Sequence, residues 1–117
     1  MLAACGLLLA AGGCGGDDSS SDKRTTDLVV TVWPQGPDGP ARKHHVACPG
    51  DRACRTLSAA KLRPVPANVA CTEIYGGPAT ARVRGNLDGK PVDVRLDRTN
   101  GCEISRWRRN AALLAAR

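Results

Sequence analysis

Apolar and polar positions alternate most regularly in the last third of the chain, where Val92, Val94 and Leu96 interleave with Asp93, Arg95 and Asp97. A period of two predicts a strand with one apolar and one charged face. Ala79 to Gly85 precedes it and leads into Asn86-Leu87-Asp88-Gly89, so the two runs read as a hairpin. Asp27 to Trp33 is rich in β-branched residues and stops at Pro34, predicting a strand that enters a Pro/Gly loop running through Pro40. Ala41 to Cys48 is a second, weaker strand pattern. Arg52 to Leu62 lacks Gly and Pro and carries Leu57, Ala59, Ala60 and Leu62, which fits a short helix closed by Pro64 and Pro66. Glu103 to Ala116 reads as a second helix, with Ile104, Trp107, Ala111, Leu113 and Leu114 available to cover a sheet. No internal repeat is evident. A mainly antiparallel sheet with two helices, an α+β domain, is the economical architecture.

The N-terminal residues follow a different pattern. Leu7 to Ala11 is apolar, and Gly12-Gly13-Cys14 then brings small residues up to a cysteine, as in a bacterial lipoprotein signal. The polar run from Gly15 to Asp22 has the composition of a flexible spacer. The chain therefore divides into a signal segment at 1–14 ending at Cys14, a spacer at 15–26 and a folded domain at 27–117. No Lys or Arg precedes the apolar run, and Leu2-Ala3-Ala4-Cys5 resembles a second lipidation box, which suggests a start further upstream. Either Cys14 or Cys5 is then the lipidated residue, and the acidic and serine-rich spacer directly after Cys14 favours Cys14. An ordinary cleaved secretory signal is the alternative. Both imply export, to the extracellular space or to the outer face of the cell membrane, with any membrane tether made by lipid alone.

Export changes the meaning of the remaining cysteines, Cys48, Cys54, Cys71 and Cys102. An even number in an oxidising compartment predicts disulfides, with three pairings possible; local pairing would join Cys48 to Cys54 and Cys71 to Cys102. With two Trp, one Tyr and no Phe, little large apolar surface is available to bury, so cross-links offset part of the chain entropy. Loop closure makes the short ring worth about 2 kcal/mol and the long one about 3.5 kcal/mol.

The net charge of +6 raises the question of nucleic acid. So few aromatic residues provide no stacking platform, and in an exported chain basic charge more simply marks a solvated face or attraction to anionic envelope polymers. His44 and His45 are adjacent and on a strand would point to opposite faces, while Cys48 and Cys54 are expected to be oxidised; no metal site or cofactor is predicted. No serine or cysteine sits in a recognisable elbow or triad motif, so the chain is not expected to be an enzyme.

The chemistry lies in Cys71-Thr72-Glu73-Ile74-Tyr75-Gly76-Gly77-Pro78, answered by Asn100-Gly101-Cys102-Glu103. Gly-Gly-Pro prevents a helix from starting beyond Tyr75, and a tether at Cys71 would leave Thr72 to Tyr75 extended and exposed. Serine proteases bind extended backbone, and a rigid segment loses little entropy on docking.

The strand before the Pro/Gly loop, the Cys48 and Cys54 pair flanking a helix start, Val69-Ala70-Cys71-Thr72-Glu73-Ile74-Tyr75, the Gly89-Lys90-Pro91-Val92 hairpin return and Arg98-Thr99-Asn100-Gly101-Cys102-Glu103 together resemble the Streptomyces subtilisin inhibitor-like family of serine protease inhibitors. The resemblance runs from about Leu28 to Leu114. It implies a five-stranded antiparallel sheet with two helices, disulfides Cys48–Cys54 and Cys71–Cys102, and a reactive-site bond between Glu73 and Ile74. Ala70, Cys71, Thr72 and Tyr75 would complete the protease-binding loop, and Asn100 matches the position that braces the loop from behind. Members of the family also pair as homodimers through the sheet.

Three features depart from the family pattern: Glu73 is acidic where apolar or basic residues are usual, the Cys48–Cys54 interval is short, and the C-terminus lacks a final strand. Forcing an unpaired carboxylate into an apolar pocket at a loss of ~3 kcal/mol weakens binding more than a hundredfold. Glu73 therefore points to a Glu-specific serine endopeptidase, to weak inhibition of a subtilisin-like one, or to none. In the last case the chain is an envelope lipoprotein with the inhibitor fold serving as a binding or structural module. Glu73 also has a plainer reading, as a surface residue paired with a nearby Arg, and Asn100 has one as an Asn-Gly turn.

Overall fold

The predicted hairpin forms because Asp88 and Gly89 both take positive φ, 52° and 80°, giving a two-residue turn whose twist suits the flanking strands. In the computed structural model, which describes residues 25–115, β3 (Thr80–Leu87) and β4 (Lys90–Leu96) flank that turn. With β1 (Thr26–Trp33) and β2 (Arg42–Cys48) they make one antiparallel four-stranded sheet in the order β2-β1-β3-β4. The domain is α+β. Cys5, Cys14 and the spacer up to Arg24 lie outside the described residues. Thr26, assigned to the spacer by composition, belongs to β1 instead: its side chain is buried, and its Oγ1 accepts from the Asp88 N–H at 2.9 Å.

Register sets the core. Leu28 lies opposite Val46 and Gly85, Val30 opposite His44 and Val83, and Val32 opposite Arg42 and Ala81. The inward residues Leu28, Val30, Val46, Val83 and Leu96 are fully buried and are covered by Leu113 and Leu114 of a C-terminal helix and by Ala53. Gly85 faces Leu28 at φ +138°, and a Cβ there would lie 2.1 Å from the Asp27 carbonyl oxygen, so only glycine lets β3 approach β1 at that point. On the outward face Arg82 grips Asp93 through two hydrogen bonds of 2.9 and 2.8 Å. Those bonds, with the nearby Arg84 and Arg95 charges, hold the Asp93 carboxyl below its usual range.

The helices differ in detail from the sequence pattern. Arg52 to Leu62 is not one helix but a 3-10 turn, Arg52–Arg55, followed by α1, Ala59–Leu62. Ser58 interrupts it by acting as N-cap of α1, accepting from the Lys61 N–H at 3.4 Å. The C-terminal helix begins at Gly101 rather than Glu103 and divides at Asn110 into α2 (Gly101–Arg109) and α3 (Ala111–Ala115). The Asn110 side-chain amide donates to the Arg106 and Lys61 carbonyls, both at 2.9 Å, drawing α1 against the end of α2. No fifth strand forms among the described residues. The chain after Cys102 is helical, and the extended segment between α1 and β3 stays outside the sheet.

Arg106 is the main surprise, since its place among Arg108 and Arg109 suggests a solvated basic face. It is 4% exposed, donating to the Arg95 carbonyl at 3.0 Å, the Leu62 carbonyl at 2.7 Å and the Glu103 carboxylate at 3.2 Å. One guanidinium thus joins α1, α2 and β4.

Gly85→Ala should destabilise the domain by about 2 kcal/mol or more, because both the close backbone and the positive φ oppose a side chain. Chemical denaturation checks this; a stability within 0.5 kcal/mol of the parent would show that β1 and β3 separate more easily than the register implies.

Candidate functional site

The segment from Cys71 to Gly77 has no strand partner, yet it is held at both ends. The Cys71–Cys102 disulfide, with a Cα–Cα distance of 5.3 Å, fixes its start to the first turn of α2. Next to it the Gly101 N–H donates to the Thr72 carbonyl at 2.9 Å. At the other end the Gly76 N–H donates to the Arg98 carbonyl at 2.7 Å, and Arg98 Nε donates back to the Gly76 carbonyl at 2.9 Å. All four anchors reach a single stretch, Arg98 to Cys102.

Local sequence makes these approaches possible. A Cβ on Gly101 would fall 1.9 Å from Thr72 Oγ1, and one on Gly76 would fall 2.8 Å from Ile104, so two glycines let the loop lie directly on α2. Gly77 then turns at φ +107° to send the chain toward β3. The Arg98 guanidinium also lies 5.7 Å from the centre of the Trp107 ring, which holds the side chain over α2.

Between the anchors Thr72, Glu73, Ile74 and Tyr75 stand in solvent. Ile74 is 61% and Tyr75 64% exposed, and Glu73 makes no ion pair among the described residues, so the plainer reading of a surface glutamate bound to an arginine is not realised. The second disulfide, Cys48–Cys54, ties the end of β2 to the 3-10 turn. Ala70 lies exposed just before Cys71.

Asn100 takes a different contact from the one expected. Its Oδ1 accepts from the Glu103 N–H at 2.9 Å as N-cap of α2, and among the described residues no hydrogen bond runs from its side chain to the loop. Its support of the loop is indirect: it starts the helix on which Gly101 and Cys102 stand. Arg98 holds the loop directly, and no sequence signal marks it because its partner is a backbone carbonyl.

The two histidines separate as strand geometry requires. His44 faces inward, its Nε2 2.9 Å from the Leu113 carbonyl oxygen, whereas His45 faces outward to Asp27. Among the described residues no group of three or more His, Cys, Asp or Glu could hold a metal ion, and no helix is long and apolar enough to cross a membrane.

Fold and site together define a small α+β domain with two disulfides that presents a short extended segment clamped at both ends. Comparison with family models, curated proteins and solved structures gives no match for this chain.

Replacing both Cys71 and Cys102 by Ser should cost about 3.5 kcal/mol. Arg98→Ala should cost less, about 1 kcal/mol, while loosening the same segment. In limited proteolysis both variants should be cut between Thr72 and Tyr75 faster than the parent; equal cutting rates would mean that these anchors do not hold the loop.

Proposed function

We propose that the chain is an inhibitor of an extracellular serine endopeptidase, acting by substrate-like insertion of Ala70 to Tyr75. The observation that carries this is the clamped segment with Ile74 and Tyr75 in water. Large apolar side chains gain free energy when a partner covers them, and a segment already extended gives up little conformational entropy on docking. The anchors also bear on cleavage. Hydrolysis between Glu73 and Ile74 would leave a new carboxylate and a new amine on two ends both tied to Arg98–Cys102. Religation is then effectively intramolecular, and a cut inhibitor is remade instead of released.

Glu73, exposed at the crest, would enter the specificity pocket. A basic pocket suits it and an apolar one does not, so a Glu-specific endopeptidase is the favoured target over a subtilisin-like one. The disulfides fit an oxidising, extracytoplasmic compartment. Under this proposal Cys14 carries a lipid and the inhibitor works at the outer face of the membrane. Metabolic fatty-acid labelling should mark the parent and not Cys14→Ser; label retained by that variant would move the anchor to another residue.

The direct test is titration of the purified chain against a Glu-specific and a subtilisin-type serine protease. Inhibition of the former should fall at least a hundredfold in Glu73→Ala, while Glu73→Met should gain orders of magnitude against the latter. Absence of inhibition of both by a folded, uncut chain would sink the inhibitor proposal and favour an envelope binding module with this fold.

A further inference from the structure

The exposed large apolar residues among those described are Val69, Ile74 and Tyr75, and the first lies outside the clamped segment. Val69, 46% exposed, lines a cleft of about 440 Å³ together with Arg63, Pro66, Ser105 and Arg109. The cleft follows from the path of the chain. Pro64 and Pro66 keep the backbone leaving α1 extended, the Val69 N–H turns back to the Pro66 carbonyl at 3.2 Å, and Cys71 is then drawn to α2 by its disulfide. Ser105 and Arg109, four residues apart on α2, share one helix face beneath this bridge.

Its electrostatics are one-sided. Arg63 and Arg109 are exposed and make no ion pair or side-chain hydrogen bond among the described residues, whereas the nearest acid on α2, Glu103, is engaged by Arg106. Two uncompensated guanidinium groups therefore share the cleft lining with Pro64, Val65, Pro66 and Val69.

We infer that the cleft lined by Arg63, Val69 and Arg109 is a second docking surface, continuous with the Ala70–Tyr75 loop, for an extended acidic segment of the partner that also carries apolar side chains. The inference rests on the proposed protease-binding role of the loop, the segment then belonging to the rim of the protease's substrate cleft. Val69 precedes Glu73 by four residues, about 13 Å of extended backbone, so a partner seated at Glu73 and following the chain backward reaches the cleft. Guanidinium groups pair carboxylates with bidentate geometry and steer an approaching acidic surface. The crest is acidic at Glu73 and the cleft basic, so the complementary enzyme has a basic specificity pocket and an acidic rim.

The test uses the full chain and two variants, Arg63→Glu/Arg109→Glu and the milder Arg63→Gln/Arg109→Gln, each with its thermal transition measured. The first probe is a synthetic peptide of alternating Glu and Leu, titrated into labelled protein and followed by amide NMR shifts. Shifts centred on Val69, Ser105 and Arg109, lost in a folded variant, are expected; no shifts there, or shifts that persist in the variants, overturn the proposal. The second probe is the Glu-specific protease. At low salt the charge-reversed chain should associate about tenfold more slowly than the parent, with a flatter salt dependence. An unchanged rate and salt dependence for a protease that the parent inhibits also overturns it. If the parent inhibits neither protease while the peptide signature holds, the inhibitor reading has failed and the cleft stands as a peptide-binding surface.

Discussion

The join between the loop and the first turn of α2 is the contact on which the rest of the site depends. It combines a covalent bond, Cys71–Cys102, with a backbone hydrogen bond from Gly101 to Thr72, both at the N-terminus of a helix capped by Asn100. Because a helix end is stiff and its first N–H groups are unpaired within the helix, it can fix a passing strand by donating to it. Arg98 repeats the device on the other side, offering its own carbonyl and its side chain to Gly76. A segment with no sheet partner is thereby held at both ends without losing the exposure of its side chains.

That join needs α2 held firmly against the sheet, and polar contacts share this task with apolar ones. Ile104, Leu113 and Leu114 are buried, but Arg106 and Asn110 are buried too and are spent on the carbonyls of Arg95, Leu62 and Lys61. A buried guanidinium is a poor source of net stability, since its desolvation offsets most of its attraction. Its value here is positional: bonds of fixed direction link α1, α2 and β4, whereas a small aliphatic core in a chain with few aromatic residues leaves more freedom to slide.

Much of the fold was legible in the residues, and the reasons are local. Asp88-Gly89 specifies its turn by backbone preference, the Val92-Val94-Leu96 alternation specifies a face, and Pro34 ends β1. What was not legible is set by distant partners. Arg106 looks like a surface arginine because its carbonyl acceptors come from other elements, and Arg98 looks unremarkable because Gly76 lies 22 residues away. The break at Ser58 comes from its side chain capping α1, which the Gly- and Pro-free run from Arg52 to Leu62 does not show. Disulfide pairing stayed open among three arrangements on spacing alone, and the resemblance pointed to the pairing that the structure contains. The resemblance also implied a fifth strand; among the described residues the chain after Cys102 is helical and the extended segment between α1 and β3 stays outside the sheet.

If these anchors suffice, Thr72 to Tyr75 is as rigid as the sheet although no strand pairs with it. Backbone ¹⁵N relaxation on the oxidised chain tests this most directly. Order parameters for these amides near the ~0.85 typical of rigid backbone, comparable to β1 and β3, are the predicted result. Values below about 0.6, with the sheet itself rigid, would mean that the anchors confine the ends of the loop but not the loop, and that tethering at Arg98 to Cys102 does not make it rigid.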